Sequence, residues 1–275
     1  MILVKIFRFI ATVKDLKLRQ IFYFFLFYFK KKEFIYSPYI EHRARLVRKK
    51  PFFIPRYNAI DLKKKSFTFG FIKRKINLRS WIYSSPNLLW EYNLFYFYFI
   101  FFKNLLNKKK ICLNIVHTWI DLSYKQKKHV MWDAYPTSLR LINFIKFCIF
   151  HNINSSKINS SIHNHVNHLK KNLEYRLDAN HLLTNLIAIN CGNEFLKVKD
   201  AKHKKFKEML FCEINTQFKN DLHYEKTPSY HNLLTEKLIE FQIIKNYLCL
   251  KISKKEINLI KKLINTSKNF SHPDK

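Results

Sequence analysis

A chain of 275 residues with only two glycines, Gly70 and Gly192, has few routes to a compact fold. Glycine supplies the left-handed backbone that tight hairpin turns need and the close approach that phosphate-cradling loops need. A glycine-rich nucleotide loop is therefore excluded, and a barrel or sandwich of many short strands lacks its usual turn residues. A mostly helical chain is the architecture least dependent on glycine. Hydrophobic residues make up 48% of the sequence and aromatics 17%, enough to bury the core of one large domain or two small ones.

The formal charge is +32, from 51 Lys and Arg against 19 Asp and Glu. Such a surplus suits a polyanion: nucleic acid, anionic lipid or an acidic polysaccharide. The enriched residues Lys, Asn, Ile, Phe and Tyr all have A/T-rich codons, however, so drift in base composition would give the same balance. The basic residues are scattered through all segments and no nucleic-acid recognition motif is present, which argues against a nucleic-acid partner. The five cysteines form no CxxC pair and read as small buried hydrophobes. The apolar runs Ile21 to Phe29 and Leu94 to Phe102 fall well short of the roughly 20 residues that span a bilayer, so buried helices and no transmembrane segment are expected. Lys30-Lys31-Lys32 follows the first run with no small-residue cleavage site. That pattern points away from a signal peptide and toward the cytoplasm.

Two parts are expected along the chain. Residues 1–85 read as an N-terminal helix and an irregular arm containing Pro38, Pro51 and Pro55, with a strand or extended stretch over Phe67 to Leu78. Residues 86–275 read as helix after helix, a bundle or an α/α toroid. Over Ser138 to Phe150, Arg140, Asn143 and Lys146 form one polar stripe on a buried helix, and Asn152 to Ser161 is a polar loop. Ile162, Val166, Leu169, Leu173 and Leu177 mark one helical face. Leu182, Leu183, Leu186 and Ile189 mark the next, with Gly192 as its expected stop. A basic helix over Lys202 to Gln217, a polar loop to Ser229, a long helix from near Tyr230 and a last helix over Lys254 to Ile264 complete the reading. His163, His165 and His168 do not share one helical face, so no metal site is expected.

Five segments, in order, carry a resemblance. They are Thr12 to Ile21; Leu89-Trp90-Glu91-Tyr92-Asn93-Leu94-Phe95-Tyr96-Phe97; Trp132-Asp133-Ala134-Tyr135-Pro136 with Ser138-Leu139-Arg140 and Asn143; Leu173-Glu174 with Asn180-His181 and Asn185; and Gln217 to His231. Together they resemble the N-terminal domain of the heparinase II/III family of polysaccharide lyases. The resemblance implies an α/α toroid followed by an antiparallel β-sandwich, β-elimination at a uronic acid of an acidic polysaccharide, and no cofactor. By position it implies Asn180 and His181 as the carboxylate-binding pair and Tyr230 as the catalytic tyrosine, with Glu225, His231 and Arg140 as substrate-binding groups. An amide and an imidazole can donate to the uronate carboxylate as it takes on enolate character. A tyrosine hydroxyl within reach can move the proton.

Read without the pattern, Asn180 and His181 would be a helix cap and Tyr230 a packing residue. Two positions depart from the family: Phe95 stands where His is usual, and Leu222 where Gly follows Asp, putting a branched residue where a positive φ is wanted. The last residues, Ser271 to Lys275, resemble the loop that ends the helical domain, and no strand pattern follows. The expectation is an incomplete toroid lacking the β-sandwich, with little activity alone and a separately encoded β-sandwich half as a candidate partner. Secreted relatives would place it in the periplasm. The alternative is a non-catalytic helical module that binds anionic glycans.

Overall fold

The computed structural model describes residues 16–29, 34–35, 60–78, 81, 87–198 and 200–270. Pro38, Pro51, Pro55, the start of the first motif and the Ser271 to Lys275 segment lie outside these residues. The described chain is mostly helical: α1 (Leu18–Phe29), α2 (Leu88–Phe95), α3 (Lys109–Ser123), α4 (Ala134–His151), α5 (Ser156–Lys171), α6 (Ala179–Phe195), α7 (Ala201–Gln217), α8 (Pro228–Tyr247) and α9 (Lys254–Lys268). A small antiparallel sheet joins β1 (Ile60–Asp61), β2 (Ser66–Phe69) and β3 (Ile72–Lys75), and a second hairpin pairs β4 (Phe218–Lys219) with β5 (Leu222–His223). The expected extended stretch over 67–78 is thus a hairpin, turned at Gly70 (φ 59°) and packed on α2 where Trp90 Nε1 donates to the Ile72 carbonyl at 2.9 Å.

From α3 onward the connections span four to ten residues, so successive packed helices run antiparallel. α4 packs directly on α6, and α6 on α8, while α3, α5, α7 and α9 flank them. This gives an inner row, α4, α6 and α8, whose members run parallel, and an outer row that returns the chain. That alternation is the one an α/α toroid repeats around its ring. Burial follows the rows. Every residue of α4 except Tyr135 and His151 is buried, and every residue of α6 except Asn180, His181 and Glu194. The outer helix α5 buries one apolar stripe, Ile158, Ile162, Val166 and Leu169, and is capped by the Ser155 side chain.

Several boundaries differ from the expectation. α5 begins at Ser156 and ends at Lys171, so part of the expected loop is helix, and Leu173 and Leu177 lie in the connection that follows. α9 runs on to Lys268 and α8 starts at Pro228, capped by Thr227. The run Leu94 to Phe102 is mostly buried but breaks at Phe97 (φ 61°) into a 3-10 turn, whereas Ile21 to Phe29 lies on the surface with Phe22, Phe25 and Phe29 exposed. Cys212 and Cys249 are exposed, so only Cys112, Cys148 and Cys191 fit the buried reading.

Gly192 does not stop α6, which continues to Phe195. Its missing Cβ instead lets α5 approach: a Cβ there would collide with Val166 Cγ2. Alanine is the better helix former by about 1 kcal/mol, yet overpacking on this scale costs about 1–3 kcal/mol. Gly192→Ala is therefore expected to lower the free energy of unfolding, and Val166→Ala added to it to restore much of the loss, in urea denaturation. A Gly192→Ala protein as stable as the parent would refute the close approach.

Candidate active site

The residues left open on the inner row cluster at one end. Tyr135 lies in the first turn of α4, Asn180 and His181 in the first turn of α6, and Tyr230 in the first turn of α8. Because these helices run parallel, three N-termini with positive dipole ends point the same way, an arrangement that favours an anion. The Tyr135 and His181 rings meet with centroids 4.4 Å apart. His181 Nδ1 lies 3.3 Å from Glu174 Oε2, at ion-pair distance without hydrogen-bond alignment. Glu174 is fixed in turn by Asn185, whose Nδ2 donates to its carboxylate at 3.2 Å and whose Oδ1 accepts its backbone N–H at 3.0 Å. Asn185 also donates to Ser138 Oγ at 3.0 Å, so α4 and α6 together aim the carboxylate at the imidazole.

The backbone entering α6 is strained. Asp178 (φ 56°, ψ −147°) and Ala179 (φ 43°) are consecutive residues with positive φ, a geometry that persists in non-glycine residues only when the surroundings over-determine it. They do so here. The buried Asp178 carboxylate pairs with Lys17 Nζ and Arg19 Nη2, each at 2.7 Å, pinning α1 to this corner. Gln217 Nε2 donates to the Ala179 carbonyl at 2.7 Å. Asn180 and His181 are thus carried on a fixed backbone.

The same Gln217 connects this corner to the loop before α8. His223 Nδ1 accepts the Glu225 N–H at 3.4 Å, so its Nε2 carries the proton donated to Gln217 Oε1 at 3.3 Å. The His223 N–H donates to His231 Nδ1 at 3.3 Å, and His231 Nε2 donates to the Leu263 carbonyl at 3.0 Å. The chain reverses at Asn220 and Asp221, both left-handed, the pattern of a two-residue type I′ hairpin. Leu222, where a positive φ was expected, sits in β5 instead.

The six residues expected at the site fall into two groups. Asn180, His181, Glu225 and Tyr230 are partly or well exposed on the converging turns and loop. Arg140 and His231 are fully buried, with their donors and acceptors engaged by the protein. Arg140 reaches the Phe95 carbonyl (3.1 Å), Thr137 Oγ1 (3.3 Å) and His165 Nε2 (2.9 Å), with its guanidinium 4.3 Å from the Trp119 ring and 5.1 Å from the Trp132 ring. Asn143 caps the next carbonyl, that of Tyr96, at 2.7 Å. The polar stripe of α4 is therefore internal scaffolding, and no open atom of Arg140 or His231 is left for substrate. His165 and His168 of the histidine trio are buried too, bonded to Arg140 and Ser161 and to the Trp132 carbonyl. Phe95 is buried against His129.

The structure adds Tyr135 and Glu174 to the site. Both lie within the family motifs, and the Tyr135-Pro136 step at a helix start is the sequence signal for the first. Burial pushes the Tyr135 hydroxyl up to about 12 and raises Tyr92 and Tyr96 as well, so these hydroxyls stay protonated, and Tyr92 donates to Asp133 Oδ2 at 2.6 Å. Beneath them, burial would raise Glu240, but Lys146 and Lys237 hold its carboxyl down to about 2. Lys237 Nζ also donates to Tyr98 Oη at 2.8 Å. Behind Glu174 and Asp133 a cleft of about 610 Å³ opens, rimmed by Lys127, Lys128, Lys170, Lys171, Arg176 and Lys205. Among the described residues no group of His, Cys, Asp and Glu is arranged to hold a metal ion.

Parallel inner helices presenting Asn, His and Tyr at one end, beside a cleft rimmed by Lys and Arg, define a helical domain with one open face. Residues 72–275 match the family model for the heparinase II/III N-terminus, and the chain belongs to that family. Its helical fold and a polysaccharide-lyase-related role follow from that membership. No curated protein and no solved structure matches the chain.

The buried histidine of the loop gives a pH signature. Burial, reinforced by His231, lowers His223 from 6.5 to about 4. A folded value below the unfolded one means that its contribution to stability is present above pH 6.5 and is lost as pH falls through about 4. The full loss is up to roughly 3 kcal/mol. Chemical denaturation between pH 7 and 4 is expected to show this decline, with a shallower slope in His223→Gln. An unchanged slope in the variant would exclude His223 as its source.

Proposed function

We propose that the chain is the helical half of a polysaccharide lyase, holding a uronate carboxylate at the N-terminal turns of α4, α6 and α8. The observation that carries this reading is the location of the open residues. On α4 and α6 nearly everything is buried except Tyr135, Asn180 and His181 at that end. The helix N-termini, the Asn180 amide and the protonated Tyr135 hydroxyl offer donors to a carboxylate, with His181 held against Glu174 to add another.

In the reaction the C5 proton leaves to a base, and its electron pair is stabilised as an enolate by the donors around the carboxylate. Collapse forms the C4=C5 double bond, breaks the C4–O bond and sends a proton to the departing oxygen. Tyr230, exposed on the first turn of α8, is the group assigned to proton transfer, and Glu225 on the preceding loop is assigned to a substrate contact. Arg140 and His231 support the site by fixing backbone. The rim of Lys and Arg around the adjoining cleft suits further acidic sugars. A β-sandwich of the kind that follows the helical domain in the family would close the site over the chain.

The test uses an unsulfated uronate oligosaccharide, with calorimetry for binding and ultraviolet absorbance for the unsaturated product. Asn180→Ala and His181→Ala are expected to weaken binding about tenfold. Tyr230→Phe is expected to keep binding and lower turnover at least about a hundredfold. Binding without turnover in the parent protein, unaltered by Tyr230→Phe, would replace the lyase with a glycan-binding module. Binding indifferent to Asn180 and His181 would refute the site itself.

A further inference from the structure

We propose that α1 is an interfacial helix that seats the protein on an anionic membrane surface. The helix is inside out. At about 100° per residue, Leu18, Phe22, Phe25, Leu26 and Phe29 fall within an arc of about 100°. These five are exposed at 86%, 59%, 59%, 41% and 84%. The rest of the circumference holds the body of the protein: Arg19, bordering the strip, pairs with Asp178, Tyr23 stacks on Tyr175 at 4.5 Å, and Phe27 lies under the Arg176 guanidinium at 4.1 Å. Gln20 Nε2 reaches the Arg176 carbonyl on the same side. A surface helix ordinarily turns its apolar stripe inward. Here the polar and aromatic anchors face inward, and three phenylalanines and two leucines face out, a contiguous apolar strip that marks an interaction surface.

Charge selects the occupant. The sequence runs from Phe29 directly into Lys30-Lys31-Lys32, and the chain carries +32 overall. Two such chains repel each other, which disfavours a second copy on the strip, whereas an anionic headgroup layer attracts the basic flank while the acyl boundary takes the phenylalanines. The helix is 12 residues long, about 18 Å. It lies in the interface and does not span: no described helix is long and apolar enough to cross a membrane.

Sedimentation with phosphatidylcholine vesicles, with and without phosphatidylserine, tests the proposal on the whole chain. The parent protein is expected to bind the anionic vesicles, more weakly at high salt. The triple variant Phe22→Ser, Phe25→Ser, Phe29→Ser is expected to bind at least about tenfold less. All three side chains are exposed, so the variant's melting temperature should be unchanged, which separates lost docking from lost folding. Absence of vesicle binding, or binding equal in the variant, would overturn the proposal, the latter pointing to charge alone. Self-association of the parent, abolished by the same substitutions, would also overturn it and assign the strip to a second copy.

Discussion

The Arg140 guanidinium is the interaction on which the rest of the fold depends. It is fully buried, and burial opposes its charge. A cation so placed must be satisfied by nearby dipoles and π faces or the core would open. Its three hydrogen bonds go to the end of α2, to the first turn of α4 and to α5, and its flanking indoles come from α3 and the segment before α4. One side chain thereby registers four helices. The neighbouring His165 completes the arrangement: burial and the adjacent Arg140 keep it well below its ordinary value, so its Nε2 is free of a proton and accepts the Arg140 Nε–H. Its Nδ1 proton goes to the Ser161 carbonyl at 2.7 Å.

This register has a functional consequence. Fixing α2 and α5 against α4 fixes the height of Tyr135, and the Ser138, Asn185 and Glu174 chain carries that height across to His181 on α6. Gln217 and His223 carry it onward to the loop before α8. Lys146 on α4 and Glu240 on α8 close the row at 2.7 Å. The conspicuous polar residues of the motifs are therefore mostly the beams that hold three helix starts level. The residues presented at those starts are fewer: Tyr135, Asn180, His181 and Tyr230.

Helical class and element order were legible from periodicity and from the lack of glycine, since both act locally. The division of the motif residues between scaffold and surface was not, because it depends on tertiary depth. Arg140 at a helix start looks the same in sequence whether it faces a cleft or two tryptophans. Leu173 and Leu177 continue the apolar rhythm of α5, yet the chain leaves the helix at Asn172 to deliver Glu174 to Asn185; a long-range bond overrode a local pattern. Gly192 carried the signal of a helix end, but its role is set by Val166 on another helix. α1 failed in the opposite sense, since an aromatic run that reads as core is held to the body by its polar face.

Scarcity of glycine returns as a physical problem that the fold solves in two ways. Eleven described non-glycine residues adopt positive φ, each at a cost on the order of 1 kcal/mol. At Asn152, Asn220 and Asp221 the substitute is the residue type that bears this conformation best, and the positions are simple turns. Lys65, Lys197 and Lys226 are turns as well, and there the side chain adds no evident compensation. Asp178 is different in kind. Glycine would relieve its backbone but would remove the carboxylate that holds Lys17 and Arg19, and with it the tie between α1 and the start of α6. The strain beside Asn180 and His181 is thus retained for what the side chain does, and the same ion pairs that stabilise it orient α1 with its apolar face outward.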